Sequence, residues 1–172
     1  MSQYLLEKAK TLDPINPNRA TALFGGKSSG ILNWNDIAYP HWYKTYKRLL
    51  ANFWQSDEVN MSNDVKQFPM LSEREQETYL KVISLLATLD SSQTRTILLT
   101  SLYATDPSVQ SILAVIAQQE AVHNESYSYI LSSVVSLDKQ IEAFEIGRKD
   151  PVLLKRNQEI MNQYNLFVEE PT

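Results

Sequence analysis

The run Gln119-Glu120-Ala121-Val122-His123-Asn124-Glu125-Ser126-Tyr127 sets a carboxylate and an imidazole three residues apart, with a phenol one turn further on. On a helix, Glu120, His123 and Tyr127 project from one face. Upstream, in Leu89-Asp90-Ser91-Ser92-Gln93-Thr94-Arg95, Asp90 falls four positions after Leu86 and seven after Ile83, on a face that should be buried. Burying an unpaired carboxylate is costly, so Asp90 needs a metal, a cation or a hydrogen-bond donor. The chain has no cysteine, which excludes a disulfide framework, a thiolate metal site and a cysteine nucleophile. Any chemistry falls to oxygen and nitrogen ligands and to aromatic rings.

A Glu-x-x-His pair facing into a helical bundle is the ligand element of di-iron and di-manganese carboxylate sites, where one helix donates a bridging carboxylate and a terminal histidine. Oxygen ligands with imidazole suit iron or manganese rather than a structural zinc. Alone the motif is weak: with twelve Glu and two His in 172 residues, chance produces it in about one chain of seven. Asp90, one helix away, adds a third ligand and strengthens it. Each residue also has a plainer reading. Asp90 fits a satisfied core aspartate or a solvated edge, Tyr127 an ordinary half-buried helix tyrosine, and Trp54 a core anchor. His41, the other histidine, has no carboxylate at useful helical spacing and reads as structural.

Helices must hold these groups. A chain of 172 residues with 43% hydrophobic composition builds one domain with a real core. Three of its four glycines fall between Gly25 and Gly30, and no strand alternation follows them. Residues 1–35 read as an extended arm broken by Pro14, Pro17 and the GGKSSG loop, and residues 36–172 as a single helical domain. A first helix runs from Pro40 to about Trp54, with Trp42, Tyr46, Leu49, Leu50 and Phe53 at helical spacing. A capping box at Ser72 and Glu75 opens a long helix to about Tyr103, whose apolar row is Tyr79, Val82, Ile83, Leu86, Leu89 and Ile97. Asp106-Pro107 opens another to about Val135, with Leu113, Ile116, Val122 and Ile130 inward. Shorter helices follow over 137–147 and 151–167. The fold class is all-α, with the two longest helices as neighbours in a bundle.

The net charge of −4 and a sequence pI near 5.2, with sixteen scattered Lys and Arg, offer no basic field for nucleic acid or an acidic membrane. The N-terminus lacks the apolar core of a signal peptide, and the longest apolar run, Ile112 to Ala117, is far below a membrane span. A cytoplasmic protein is expected.

Three segments in order carry a family resemblance: Phe53-Trp54-Gln55-Ser56-Asp57-Glu58-Val59 continuing to Asp64, then the LDSxQxR pattern from Leu89 to Arg95, then ExxHxxxY from Glu120 to Tyr127. Together they resemble the N-terminal half of the radical-generating β (small) subunit of class I ribonucleotide reductase. The resemblance implies a ferritin-like helical bundle, here half of the β fold. It implies that Asp90, Glu120 and His123 are ligands of a dinuclear iron or manganese centre, with Glu120 bridging. Tyr127 would carry an oxygen-derived tyrosyl radical inside an apolar shell that includes Leu113, Ile116 and Ile130. Trp54 would lie on the electron route to the catalytic α subunit, where the ribonucleoside diphosphate is reduced.

The family pattern continues into a further glutamate and a second Glu-x-x-His. In these residues Glu142, Glu145, Glu159, Glu169 and Glu170 lack a histidine three positions on, so three ligands stand alone. The expected partners are therefore a second polypeptide supplying the C-terminal half of the β subunit with the remaining ligands, a second β protomer, and the α subunit. Two alternatives stay open: a ferritin-like homodimer that binds and oxidises iron without radical transfer, and a degenerate product that binds no metal. The pairing of Tyr127 with Trp54 favours the reductase, since iron storage has no use for a long radical path.

Overall fold

In the structure, a computed structural model describing residues 5–12, 20–28 and 30–172, helices begin at prolines and at capping residues. They are α1 (His41–Ala51), α2 (Asp64–Gln67), α3 (Glu73–Ser101), α4 (Pro107–Val134), α5 (Leu137–Lys149) and α6 (Pro151–Glu169), with 3₁₀ turns at Ser56–Glu58 and Phe68–Met70. Pro14 and Pro17, the expected breakers, lie outside the described residues. Among the described residues the one β pairing is an isolated antiparallel bridge between Phe24 and Ala104, so the chain is all-α. No described helix is long and apolar enough to cross a membrane.

The starts of the long helices follow from local chemistry. The Ser72 N–H and hydroxyl both donate to Glu75 Oε2, at 2.8 and 2.6 Å, and the Glu75 N–H donates back to Ser72 Oγ at 3.4 Å. At α4, Asp106 Oδ1 accepts the N–H groups of Ser108 at 2.8 Å and Val109 at 3.3 Å, satisfying two orphan donors. α1 stops earlier than its apolar spacing predicts. The Asn52 N–H reaches both Arg48 O and Leu49 O at 3.2 Å, the Phe53 N–H reaches Leu50 O at 3.3 Å, and Gln55 is already extended. Asparagine is a poor helix former, and the tightening to three-residue bonds ends the helix. Trp54 is thereby released from α1.

The buried face of α3 is Ile83, Ser84, Leu85, Ala87 and Asp90. Val82, expected in the core row, is 48% exposed, because one residue of helix is a 100° rotation.

The chain divides into two compact units. The first holds the described residues up to Phe53 together with Thr94–Gln118 and Gln163–Thr172. Here Gly25, at φ +66°, allows a reversal closed by Thr21 N–H to Lys27 O at 3.2 Å and Lys27 N–H to Thr21 Oγ1 at 2.8 Å. The strand-like piece beside it ties down the connection between α3 and α4. The Thr105 N–H donates to Leu23 O at 2.8 Å and its hydroxyl to Ala22 O at 2.6 Å. Trp34 stacks on Tyr46 of α1 with ring centroids 4.7 Å apart.

The second unit holds Trp54–Gln93 and Gln119–Asn162. Ile83 of α3, Leu131 of α4 and Ala143 of α5 form its core, with Tyr79, Leu80, Tyr127, Ile130, Val135 and Phe144 packed around them. α5 comes close to α3 at Gly147. A Cβ there would run into Ser84 Oγ and lie 3.0 Å from both Ser84 O and Thr88 Oγ1, so the absence of a side chain sets the helix separation.

Candidate metal centre

The candidate residues from two successive helices meet within the second unit. Asp90 lies well inside α3, on the face it shares with Ile83 and Ala87, and is 7% exposed. Glu120 and His123 lie on α4 at i and i+3. His123 Nδ1 is 3.1 Å from Glu120 Oε2 and 3.7 Å from Asp90 Oδ2. One ligand atom from each of the three lies within 4.8 Å of the others. Among the described residues this is the one such group of three or more metal-capable side chains.

That geometry fits a metal. Two ligands at right angles on bonds of about 2.1 Å stand about 3 Å apart, and opposite ones about 4.2 Å apart, and the two His123 distances of 3.1 and 3.7 Å fall within that range. Two carboxylates beside one imidazole leave excess negative charge for a divalent cation to neutralise. The set is hard oxygen plus nitrogen, suited to iron or manganese.

Exposure differs around the site. The Asp90 and Glu120 side chains are 10% and 16% exposed, whereas that of His123 is 39% exposed. The site is walled on the Asp90 side and open beside the imidazole.

Tyr127 continues the α4 face one turn beyond His123. Its hydroxyl donates to the Asp90 carboxylate, and its ring packs against the Ile83–Leu131–Ala143 core. Burial, then the hydrogen bond to Asp90, then the charges of Asp90 and Glu120 push the phenol up to about 12. Trp54 lies against the imidazole. Its ring centroid is 5.9 Å from that of His123, with the planes 30° apart. All five candidate residues therefore belong to one unit and touch in sequence, from Trp54 to His123, to Glu120 and Asp90, to Tyr127.

Other expectations resolve differently. Ile130 packs in the core beside Tyr127, but Leu113 and Ile116 belong to the first unit. Leu131 and Ala143 supply apolar wall that was not anticipated; Leu131 carried a usable signal, standing four residues after Tyr127. Asn124 was also missed. Its Nδ2 donates to Ala87 O at 2.9 Å and to Ser91 Oγ at 2.7 Å, joining α4 to α3 beside the ligands. His41 packs against the ring of Trp42, with centroids 4.4 Å apart, and has no part in the site.

Comparison with known proteins shows the family. The chain is 47% identical over 167 residues to the ribonucleoside-diphosphate reductase subunit β of Halalkalibacterium halodurans, covering 97% of this chain and 48% of that one. It superposes on the ribonucleotide reductase R2 subunit from Clostridium botulinum with a TM-score of 0.92 at 32% identity, covering 98% of this chain and 53% of the other. Against Streptococcus sanguinis dimanganese(II)-NrdF the TM-score is 0.73 at 27% identity, over 78% of this chain and 48% of that one. The chain thus spans about half the length of the relatives it matches. Its helices are those of the ferritin-like small-subunit fold, and the family is one of dimetal, radical-generating subunits. Residues 31–171 match the family described as ribonucleotide reductase, small chain, and the chain belongs to that family.

Proposed function

We propose that this chain supplies one half of the dimetal and tyrosyl-radical centre of a class I ribonucleoside-diphosphate reductase, completed by helices outside these 172 residues. The observation that carries the reading is the continuous contact from Trp54 through His123, Glu120 and Asp90 to Tyr127. Asp90, Glu120 and His123 would hold iron or manganese. A bound metal pair would supply the oxygen-activating redox chemistry.

The chain's own groups do the rest. Asp90 holds the Tyr127 proton donor in place and is the base next to it. Because the phenol keeps its proton to about 12, removing an electron from Tyr127 must be coupled to passing that proton to the Asp90 carboxylate. The apolar wall of Ile83, Leu131 and Ala143 keeps water from the ring and so lengthens the life of the radical. Trp54, against His123, offers the next oxidisable ring on the way to a catalytic α subunit, which would bind the ribonucleotide.

The second glutamate and second Glu-x-x-His that this reading requires would come from the C-terminal half of the β fold, in a β dimer acting in the cytoplasm. The test adds the C-terminal half of a full-length relative, ferrous iron and oxygen to the chain and follows electron paramagnetic resonance. A tyrosyl signal that needs both halves and vanishes in Tyr127→Phe is expected. A signal that persists in Tyr127→Phe, or no signal while both halves associate and load iron, overturns the reading.

A further inference from the structure

Two rigid helices can present three ligands at one point only if their register is held. One residue of slip along a helix moves a ligand by about 1.5 Å, half the spacing between neighbouring ligand atoms. The α3 surface around Asp90 is poorly suited to preventing such slip. Ser84 is fully buried and Ala87 is 3% exposed, as small side chains that make shallow ridges, and apolar contact is not directional. Directional bonds must supply the register, and they occur beside the ligands. Asn124 follows His123 on α4. Its amide nitrogen donates across the helix pair to Ala87 O at 2.9 Å and to Ser91 Oγ at 2.7 Å. Ala87 is three residues before Asp90 and Ser91 is the next residue, so the two acceptors bracket the ligand. Ser91 Oγ in turn donates to Ala87 O at 2.7 Å, closing a three-membered ring of bonds.

We infer that Asn124 is a positioning residue: with Ser91 and Ala87 O it clamps α3 to α4 so that Asp90, Glu120 and His123 are preassembled for the metal. The inference rests on the metal reading of those three residues and names what holds them. Asn124 touches no metal itself. Its amide oxygen and nitrogen cannot be replaced by a hydrocarbon of similar size without losing both cross-helix bonds, while packing is kept. Outer groups that orient ligands typically change metal affinity by about 10–100-fold when removed.

The test titrates Co2+ into the full chain and follows its visible absorption, with thermal unfolding as the stability control. Asn124→Leu should weaken Co2+ binding about tenfold. Ser91→Ala should weaken it less, and the double variant should be no worse than Asn124→Leu, because the two share one ring of bonds. Phe144→Leu, a change at the periphery of the same unit's core and outside the clamp, should lower the melting temperature and leave Co2+ affinity unchanged. If Asn124→Leu binds Co2+ as wild type does, or Phe144→Leu weakens binding as much at equal loss of stability, the clamp is refuted. Asp90→Asn and His123→Ala separate the two levels of the argument. If neither affects Co2+ binding, the metal reading itself fails and takes the clamp with it. If both abolish binding while Asn124→Leu does not alter it, only the clamp fails.

Discussion

Asp90→Asn should make the chain more stable without metal and less stable with it. The Asp90 and Glu120 side chains are 10% and 16% exposed, and their ligand oxygens lie within 4.8 Å. At an effective dielectric of ~20, two unit charges at that distance repel by about 3.5 kcal/mol. The amide removes this repulsion and most of the desolvation penalty. It gives up the attraction to His123 at 3.7 Å, yet its carbonyl oxygen still accepts the Tyr127 hydroxyl. The net gain should be about 1–3 kcal/mol, as for other buried charges replaced by neutral groups. For a chain of this size each kcal/mol moves the melting temperature by roughly 2–4 °C. Calorimetry with chelator near neutral pH reads that rise. With metal at about a thousand times its dissociation constant, wild type gains about 4.1 kcal/mol, and the asparagine variant should lose most of that gain. The two variants therefore exchange rank when metal is added. An asparagine variant that melts lower in chelator, or that keeps the full metal-induced shift, would refute the view of Asp90 as a buried charge held ready for a cation.

Gly147→Ala should cost about 1–3 kcal/mol in urea unfolding, because the new methyl meets Ser84 across the α3–α5 contact. Ser84→Ala should recover part of that loss, since the Ser84 hydroxyl is buried without a partner. At the start of α3, the Ser72 hydroxyl and N–H hold the Glu75 carboxyl below its ordinary value of 4.5. The depressed value means that the cap stabilises above about pH 4.5 and is lost as the pH falls through the folded-state value. The protection of amides in the first turn of α3, corrected for the pH dependence of free-peptide exchange, should therefore fall on acidification in wild type, but much less in Ser72→Ala. Paramagnetic Mn2+ should quench the tryptophan emission of the chain, and Trp54→Phe should remove the quenched component; undiminished quenching in that variant would separate Trp54 from the site.

Local signals made most of the helices legible, because a cap acts on the residues beside it. Ser72 with Glu75 and Asp106 with Pro107 each announced a helix that begins within a residue of its sequence signal. The candidate site was legible for a related reason: Glu120, His123 and Tyr127 are placed together by helix geometry alone, and Asp90 stood out as a charge on an apolar face. What escaped was decided by packing. No Gly or Pro marks the end of α1, so its stop at Ala51 depends on how Asn52 closes the turn. Val82 and Ile83 are equally apolar, and only the neighbours of α3 decide which one faces inward. The bonds of Asn124 span 37 and 33 residues of sequence, and nothing in the neighbourhood of Asn124 names Ala87 or Ser91 as its acceptors. Ala143 and Gly147 matter for the same reason, through a face of α3 some sixty residues earlier.

The latch made by Ala22 and Leu23 on Thr105 bears on how the chain is handled. The family match opens at residue 31, whereas the latch lies before it, so a protein trimmed to that border would lose the latch. It would lack both acceptors of Thr105, which is 3% exposed, as well as the partner of the Ala104 bridge. Stranding those donors would cost about 1–3 kcal/mol each, concentrated at the bend that joins α3 to α4. Expression boundaries drawn at the start of the family match would thus discard a fastening that the bend between α3 and α4 uses.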